Sequence, residues 1–235
     1  YAAEHKGEVL YGLGQKAEGH GWTDPALLLK EGNRSEPTIV TLRKKNILEM
    51  WLHNIDNMAT IDTHYLSALG MKIKENKLVT FEVSAPTEAE KGKGGGAIIA
   101  NINGKPCNIQ AEWDIIETSA KAKHMKTEDL IQQTPDSPFN NATMQVNIME
   151  AFQKLLGEDF EKAMAITDST ERDHKLANLV QPLCQKMRRV PLRRAETITI
   201  DGKKHPIVRA LLEIRAWEIQ EADPTRVGFI FTPGA

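Results

Sequence analysis

The sequence predicts an α+β fold, predominantly helical. Three observations carry that expectation. Apolar residues recur at helical spacing from about Leu42 to Leu69 and again from Ile148 to Met187. Asn103-Gly104, the preferred pair of a tight hairpin turn, sits between two alternating segments. A polar stretch with Pro135 and Pro138 separates the two kinds of pattern. The reading divides the chain into an N-terminal α+β half, residues 1–126, and a mainly helical C-terminal half, residues 127–235. One continuous domain is the alternative division.

The elements follow in order. "EVLYGL" reads as a short strand. "DPALLLKEG" reads as a short helix with Asp24 as N-cap, Pro25 in the first turn and Gly32 past its end. Leu48, Trp51, Leu52, Ile55, Met58, Ala59, Tyr65, Leu66 and Leu69 line one face of a long helix, broken near Asp62 and capped by Gly70. "KLVTFEV" alternates as a strand, and "AIIANINGKPCNIQAEW" supplies two more around the Asn-Gly turn. Together they predict a three-stranded antiparallel meander. Its first connection, "SAPTEAEKGKGGG", is long, charged and rich in glycine.

Beyond the proline-containing hinge, Ile148, Met149, Phe152, Leu155, Leu156, Phe160 and Met164 define one helical face, which Gly157 divides. Asp168 and Glu171 have capping-box spacing ahead of another helix, which Pro182 kinks. "ETITIDG" reads as a strand and turn. Pro206 starts a last helix with Ile207, Leu211, Ile214 and Trp217 on one side, and "RVGFIF" closes as a strand. The C-terminal half is thus helices with a small strand element.

Composition bounds the function classes. The 235 residues are 40% hydrophobic and 26% charged, enough for a core without staples. No apolar run reaches the roughly 18 residues of a membrane span, so no membrane partner is expected. The start has no signal-peptide pattern and no Met, which reads as processing, trimming or disorder ahead of Tyr1. Cys107 and Cys184 share no motif and read as core residues of a reducing compartment. The expected location is cytoplasmic, or the virion of a viral protein.

Charge is segregated although the net charge is only -2. Between Lys186 and Arg215 nine residues are basic and three acidic, which leaves an acidic remainder. Lys186, Arg188, Arg189, Arg193, Arg194, Lys203 and Lys204 are the candidate phosphate-binding residues, with Arg43, Lys44 and Lys45 as a second basic spot. Arginine pairs bidentately with phosphate, and counterion release rewards such a cluster. Helix-end dipoles and protein-facing ion pairs explain the same residues without a ligand.

Other candidates carry less. His53, Asp56, Asp62 and His64 are metal-ligand types, but one helix would hold the two histidines about three turns apart. "EKGKGGGA" lacks both glycine-rich phosphate-loop signatures and precedes a strand. No catalytic residue, metal or cofactor is assigned. The expected function is nucleic-acid binding and assembly by a homo-oligomer, of the viral nucleocapsid or coat class. Single-stranded RNA or DNA would be its partner. The alternatives are an enzyme whose arginines clamp a phosphorylated or nucleotide substrate, and a structural oligomer with protein-facing arginines.

Overall fold

Strands, not helices, organise the chain. The computed structural model describes residues 2–5, 8–11, 23–53, 64–85, 96–102, 104–111, 121, 124, 138–187, 189–200, 203–214 and 216–231. Two compact units form: residues 1–40 with 162–218, and residues 41–161 with 219–235.

In the first unit, β1 (Ala2–His5) and β2 (Glu8–Tyr11) pair antiparallel. A one-turn helix, α1 (Thr23–Ala26), follows; Asp24 lies inside it rather than ahead of it, and it ends six residues before Gly32, whose φ of 55° belongs to a separate turn and not to a helix cap. The second helix, α2 (Thr38–Lys44), contributes buried Ile39 and Val40 here. Leu28, Leu176, Leu183 and Met187 complete this core. Asp168 caps a helix as its spacing predicts, accepting a hydrogen bond from the Glu171 amide at 2.7 Å.

The second unit is built on a six-stranded mixed sheet. Its strands are β3 (Glu49–His53), β4 (Val79–Ser84), β5 (Gly96–Ile102), β6 (Lys105–Ala111), β7 (Phe139–Asn147) and β10 (Val227–Phe231). The path runs β10-β4-β7-β5-β6, and β3 also pairs with β7. Both β3 and β4 are antiparallel to β7, and β10 is parallel to β4. Hence β3, β4 and β10 run in one direction. One face carries Val79, Phe81, Val83, Met144, Val146 and Val227, all buried. The sheet also returns on itself, because Asn108 on β6 donates to the Val227 carbonyl at 3.2 Å. The Gln220 carboxamide bonds both backbone groups of Gln110, 2.8 Å each way, as a neighbouring strand would.

A network of charges ties α3 (His64–Lys74), β3 and α4 (Ile148–Leu156) to the approach of β10. Lys72 is 1% exposed and its ammonium lies 2.7 Å from Glu49. Arg226 bonds Glu150, the Asn76 carbonyl and the Asn76 side chain. Asn147 caps α4 by accepting from the Glu150 amide at 3.1 Å. Gly157 (φ 64°) separates α4 from α5 (Glu158–Ala165), as predicted. Phe152 and Phe160 then meet edge to face at 5.6 Å.

Several expectations are corrected. The fold is mixed α/β, not predominantly helical. No helix runs from Leu42 to Leu69. Asn46, at φ 54°, ends α2, and Glu49–His53 is a strand held by β7. Gly70 lies inside α3, which Asn76 (φ 52°) terminates. The meander is interrupted, since β7 stands between β4 and β5. Phe139–Asn141, read as hinge, begins a strand; residues 125–137 lie outside the described ones.

Residues expected as the last helix instead form β9 (Lys203–Ile214), paired along its length with β8 (Arg189–Ile200). Ile207, Val208 and Ile214 fit a strand as readily as a helix, and the pairing sets them opposite Glu196, Ala195 and Arg189 of β8. Only Ala216–Ala222 is helical there, as a 3-10 segment. Three helices precede the ribbon, α5, α6 (Ser169–Asn178) and α7 (Val180–Lys186), where one kinked helix was expected beyond Asp168. The break falls at Leu179, so Pro182 sits in the first turn of α7, where its missing N–H costs little. Among the described residues no helix is long and apolar enough to cross a membrane.

Candidate functional site

Three strand ends converge in the second unit. β3 ends at His53, β4 at Ser84 and β10 at Phe231, all toward the amino-terminal half of β7. In sheets of this class ligands bind outside the carboxyl ends of parallel strands. The side chains near that end are polar although the strands are interior. β4 reads Val-Thr-Phe-Glu-Val-Ser, and all six residues are buried. Thr80, Glu82 and Ser84 share the face opposite the apolar core. Register places Gln145 of β7 opposite Thr80, and alternation adds Thr143 to the same face. Trp51 of β3, half-buried, lies opposite Gln145 on its other side. Asn140 is buried as well, on the face of Val83.

The local reason is the strand pattern itself. Alternation sends Val79, Phe81 and Val83 into one core, so the intervening residues must face the other way. Here that other side is covered too, and Glu82 is only 4% exposed. A carboxyl group, three hydroxyls and an amide are therefore held in a water-poor setting at the head of the sheet. Carboxylate oxygens only accept hydrogen bonds, whereas hydroxyls both donate and accept. Such a set suits a neutral, hydroxyl-bearing group.

The residues expected from sequence are dispersed. Lys186 is exposed at the end of α7. Arg188 lies outside the described residues. Arg189, Arg193 and Arg194 belong to β8, Lys203 and Lys204 to β9, and Lys204 is exposed. Register sets Arg194 opposite Arg209 and Arg193 opposite Ala210. The basic residues thus fall on a helix end and an extended segment, the latter being one strand of a regular ribbon.

Arg43 forms an ion pair with Glu161 at 2.9 Å; Lys44 and Lys45 are exposed, and all three belong to the second unit. His53 ends a strand and His64 starts a helix, so the helical spacing assumed for a metal reading does not exist. Asp56 and Asp62 lie outside the described residues. Among the described residues no cluster of three metal-ligating acids, histidines or cysteines occurs. In "EKGKGGGA", only Gly96 and Ala97 are described, at the start of β5. Cys107 is buried on β6, as its strand position predicted.

Sequence reading missed Glu82, Ser84 and Thr143. Their signal, polar residues alternating in a strand, ordinarily marks a solvent face. Only the cover on both sides of β4 changes its meaning.

No family model matches the chain, and no curated protein matches it in sequence. Among solved structures it is similar to the UDP-glucose phosphorylase of Trypanosoma brucei, with a TM-score of 0.51 and 16% identity. That match covers 91% of this chain and 36% of the other. The V402W mutant of UDP-glucose pyrophosphorylase from Leishmania major gives a TM-score of 0.48 at 16% identity, covering 92% of this chain and 38% of that one. The uridine diphosphate N-acetylglucosamine pyrophosphorylase of Trypanosoma brucei gives 0.45 at 16% identity, covering 97% and 38%. Only the first is similar enough to establish a shared fold. The chain thus spans little more than a third of the length of these structures. The likeness overturns the expectation of a nucleocapsid or coat protein: the mixed α/β fold is one found in a nucleotide-sugar enzyme.

Proposed function

We propose that this chain is the substrate-binding part of an enzyme that acts on a nucleotide sugar. The observation that supports this most is the polar head of the sheet: three parallel strands end together beside buried Glu82, Ser84 and Thr143. The fold shared with the trypanosomal UDP-glucose phosphorylase supports the same reading. It also agrees with the enzyme alternative drawn from the sequence. Arg189, Arg193, Arg194, Lys203 and Lys204 remain proposed phosphate contacts on charge alone.

Binding is the appropriate test, because the chain spans only part of the enzymes it resembles. Calorimetric titration with UDP-glucose and UDP should give saturable heats with micromolar to millimolar constants. A parallel titration with a single-stranded oligonucleotide should give none at moderate salt. Binding of the oligonucleotide alone would refute the proposal.

A further inference from the structure

The last strand is held differently from the sheet that it extends. β4 and β7 are interior strands that bury Val79, Phe81, Val83, Met144 and Val146. β10 stands at the end of the strand path and pairs over five residues, parallel to β4. Its burial falls away along its length. Val227 is 1% exposed, Phe229 and Ile230 are half-buried, and Phe231 is 68% exposed. From Ile219 to Phe231, Ile219 and Val227 are the large apolar side chains that are fully buried. Polar side chains supply the other attachments. The Gln220 carboxamide bonds both backbone groups of Gln110 on β6, and Asn108 of β6 donates to the Val227 carbonyl. Lys154 of α4 pairs with Asp223 at 2.9 Å. Arg226 donates to the Asn76 carbonyl at 2.7 Å, to the Asn76 side-chain oxygen at 2.8 Å, and to both carboxylate oxygens of Glu150 on α4.

We infer that Ile219–Phe231 is a strap that opens as a unit while the rest of the sheet stays folded, and that Arg226 is its latch. Separating β4 from β7 would bring Phe81, Met144 and Val146 into water, and apolar area of that kind is the main resistance to unfolding. Releasing the strap exposes far less of it. The polar bonds it breaks are replaced by bonds to water, so their net contribution is modest. Segments with few buried apolar contacts open below the free energy of global unfolding. Arg226 joins two elements at once, the turn after α3 and α4, so its loss frees the strap from both. The latch sits just ahead of Val227, and the strand's other end, Phe231, lies at the three converging strand ends. Opening the strap therefore withdraws one of the three ends that form the candidate site.

Native-state hydrogen exchange on the full chain, across a series of low urea concentrations, tests this. The amides of Phe229–Phe231 should exchange through an opening that depends little on urea, and those of Thr143–Val146 through one that depends on it steeply. Ile148→Val trims a buried side chain outside the strap. It should accelerate Thr143–Val146 by about two- to tenfold and leave Phe229–Phe231 unchanged. Arg226→Met should accelerate Phe229–Phe231 by about tenfold or more. Should that variant fail to fold, Asn76→Gly carries the same comparison, because it removes one Arg226 acceptor and tolerates the left-handed turn at φ 52°. Exchange of Phe229–Phe231 in step with Thr143–Val146 in the wild type overturns the strap, as does equal acceleration of both by Ile148→Val. A folded latch variant that leaves Phe229–Phe231 unchanged overturns the role of Arg226.

Discussion

The ion pair between Lys72 and Glu49 offers a test in which the two partners should behave unequally. The Lys72 ammonium is almost wholly buried, whereas the Glu49 side chain keeps 20% of its exposure. Glu49→Gln strands a buried positive charge. Lys72→Met strands a carboxylate that water still reaches. Removing one partner of a buried pair costs about 3–5 kcal/mol, while replacing both by apolar residues is often neutral. We expect about 3 kcal/mol for Glu49→Gln, about 1–2 kcal/mol for Lys72→Met, and little for the double variant Glu49→Leu/Lys72→Met.

Burial holds the Lys72 pKa below its ordinary value, although the hydrogen bond and charge of Glu49 act in the other direction. The unfolded chain therefore binds the proton more tightly than the folded one. Wild-type stability should rise with pH between that lowered value and about 10.5, and the rise should be absent in Lys72→Met. Urea denaturation followed by circular dichroism at several pH values measures both effects. Additive single costs, or a double variant as unstable as their sum, would refute the reasoning.

The remaining predictions concern neighbouring contacts. A Cβ on Gly228 would lie 2.9 Å from the Thr80 γ-methyl, so Gly228→Ala should cost about 1–2 kcal/mol, with Thr80→Ser recovering most of it by removing that methyl; thermal melting reads both. Gln220→Leu leaves both backbone groups of Gln110 without their carboxamide partner, and should cost about 1–3 kcal/mol with faster hydrogen exchange at the Gln110 amide. Burial would raise the Asp223 pKa, but hydrogen bonds from Thr225 and Lys154 and the charge of Lys154 outweigh it and the net value is lowered. Its contribution to stability is therefore complete above about 3.8 and disappears as pH falls through the lower folded value; acid titration of Asp223→Asn should show a shallower loss than wild type.

Local chemistry was legible wherever one residue acts on its own turn. Asp168 caps its helix, Gly157 takes a positive φ between two helices, and Gly104 takes one in the turn between β5 and β6. The failures came where partners decide. Leu48–Leu52 has helical spacing, yet Asn46 ends the helix and β7 captures Glu49–His53 as a strand. Residues 203–214 carry the same ambiguity, and a twelve-residue partner resolves it toward strand. Parallel pairing of β10 with β4 joins positions nearly 150 residues apart, which no local pattern encodes.

The site was less legible still. The basic residues between Lys186 and Lys204 stand out in the sequence because they are charged, and the structure divides them along a ribbon. Glu82 and Ser84 do not stand out, because "VTFEVS" resembles any half-buried strand. Their significance depends on what covers the second face of the sheet, and covering is a property of the tertiary fold.

Hydrogen exchange with and without UDP-glucose tests the central claim most directly. The account predicts added protection at Glu82–Ser84 and Phe139–Thr143, where the strand ends and the polar face meet, and none with an equal concentration of glucose. Protection confined to the β8–β9 ribbon, or no protection anywhere, would contradict it.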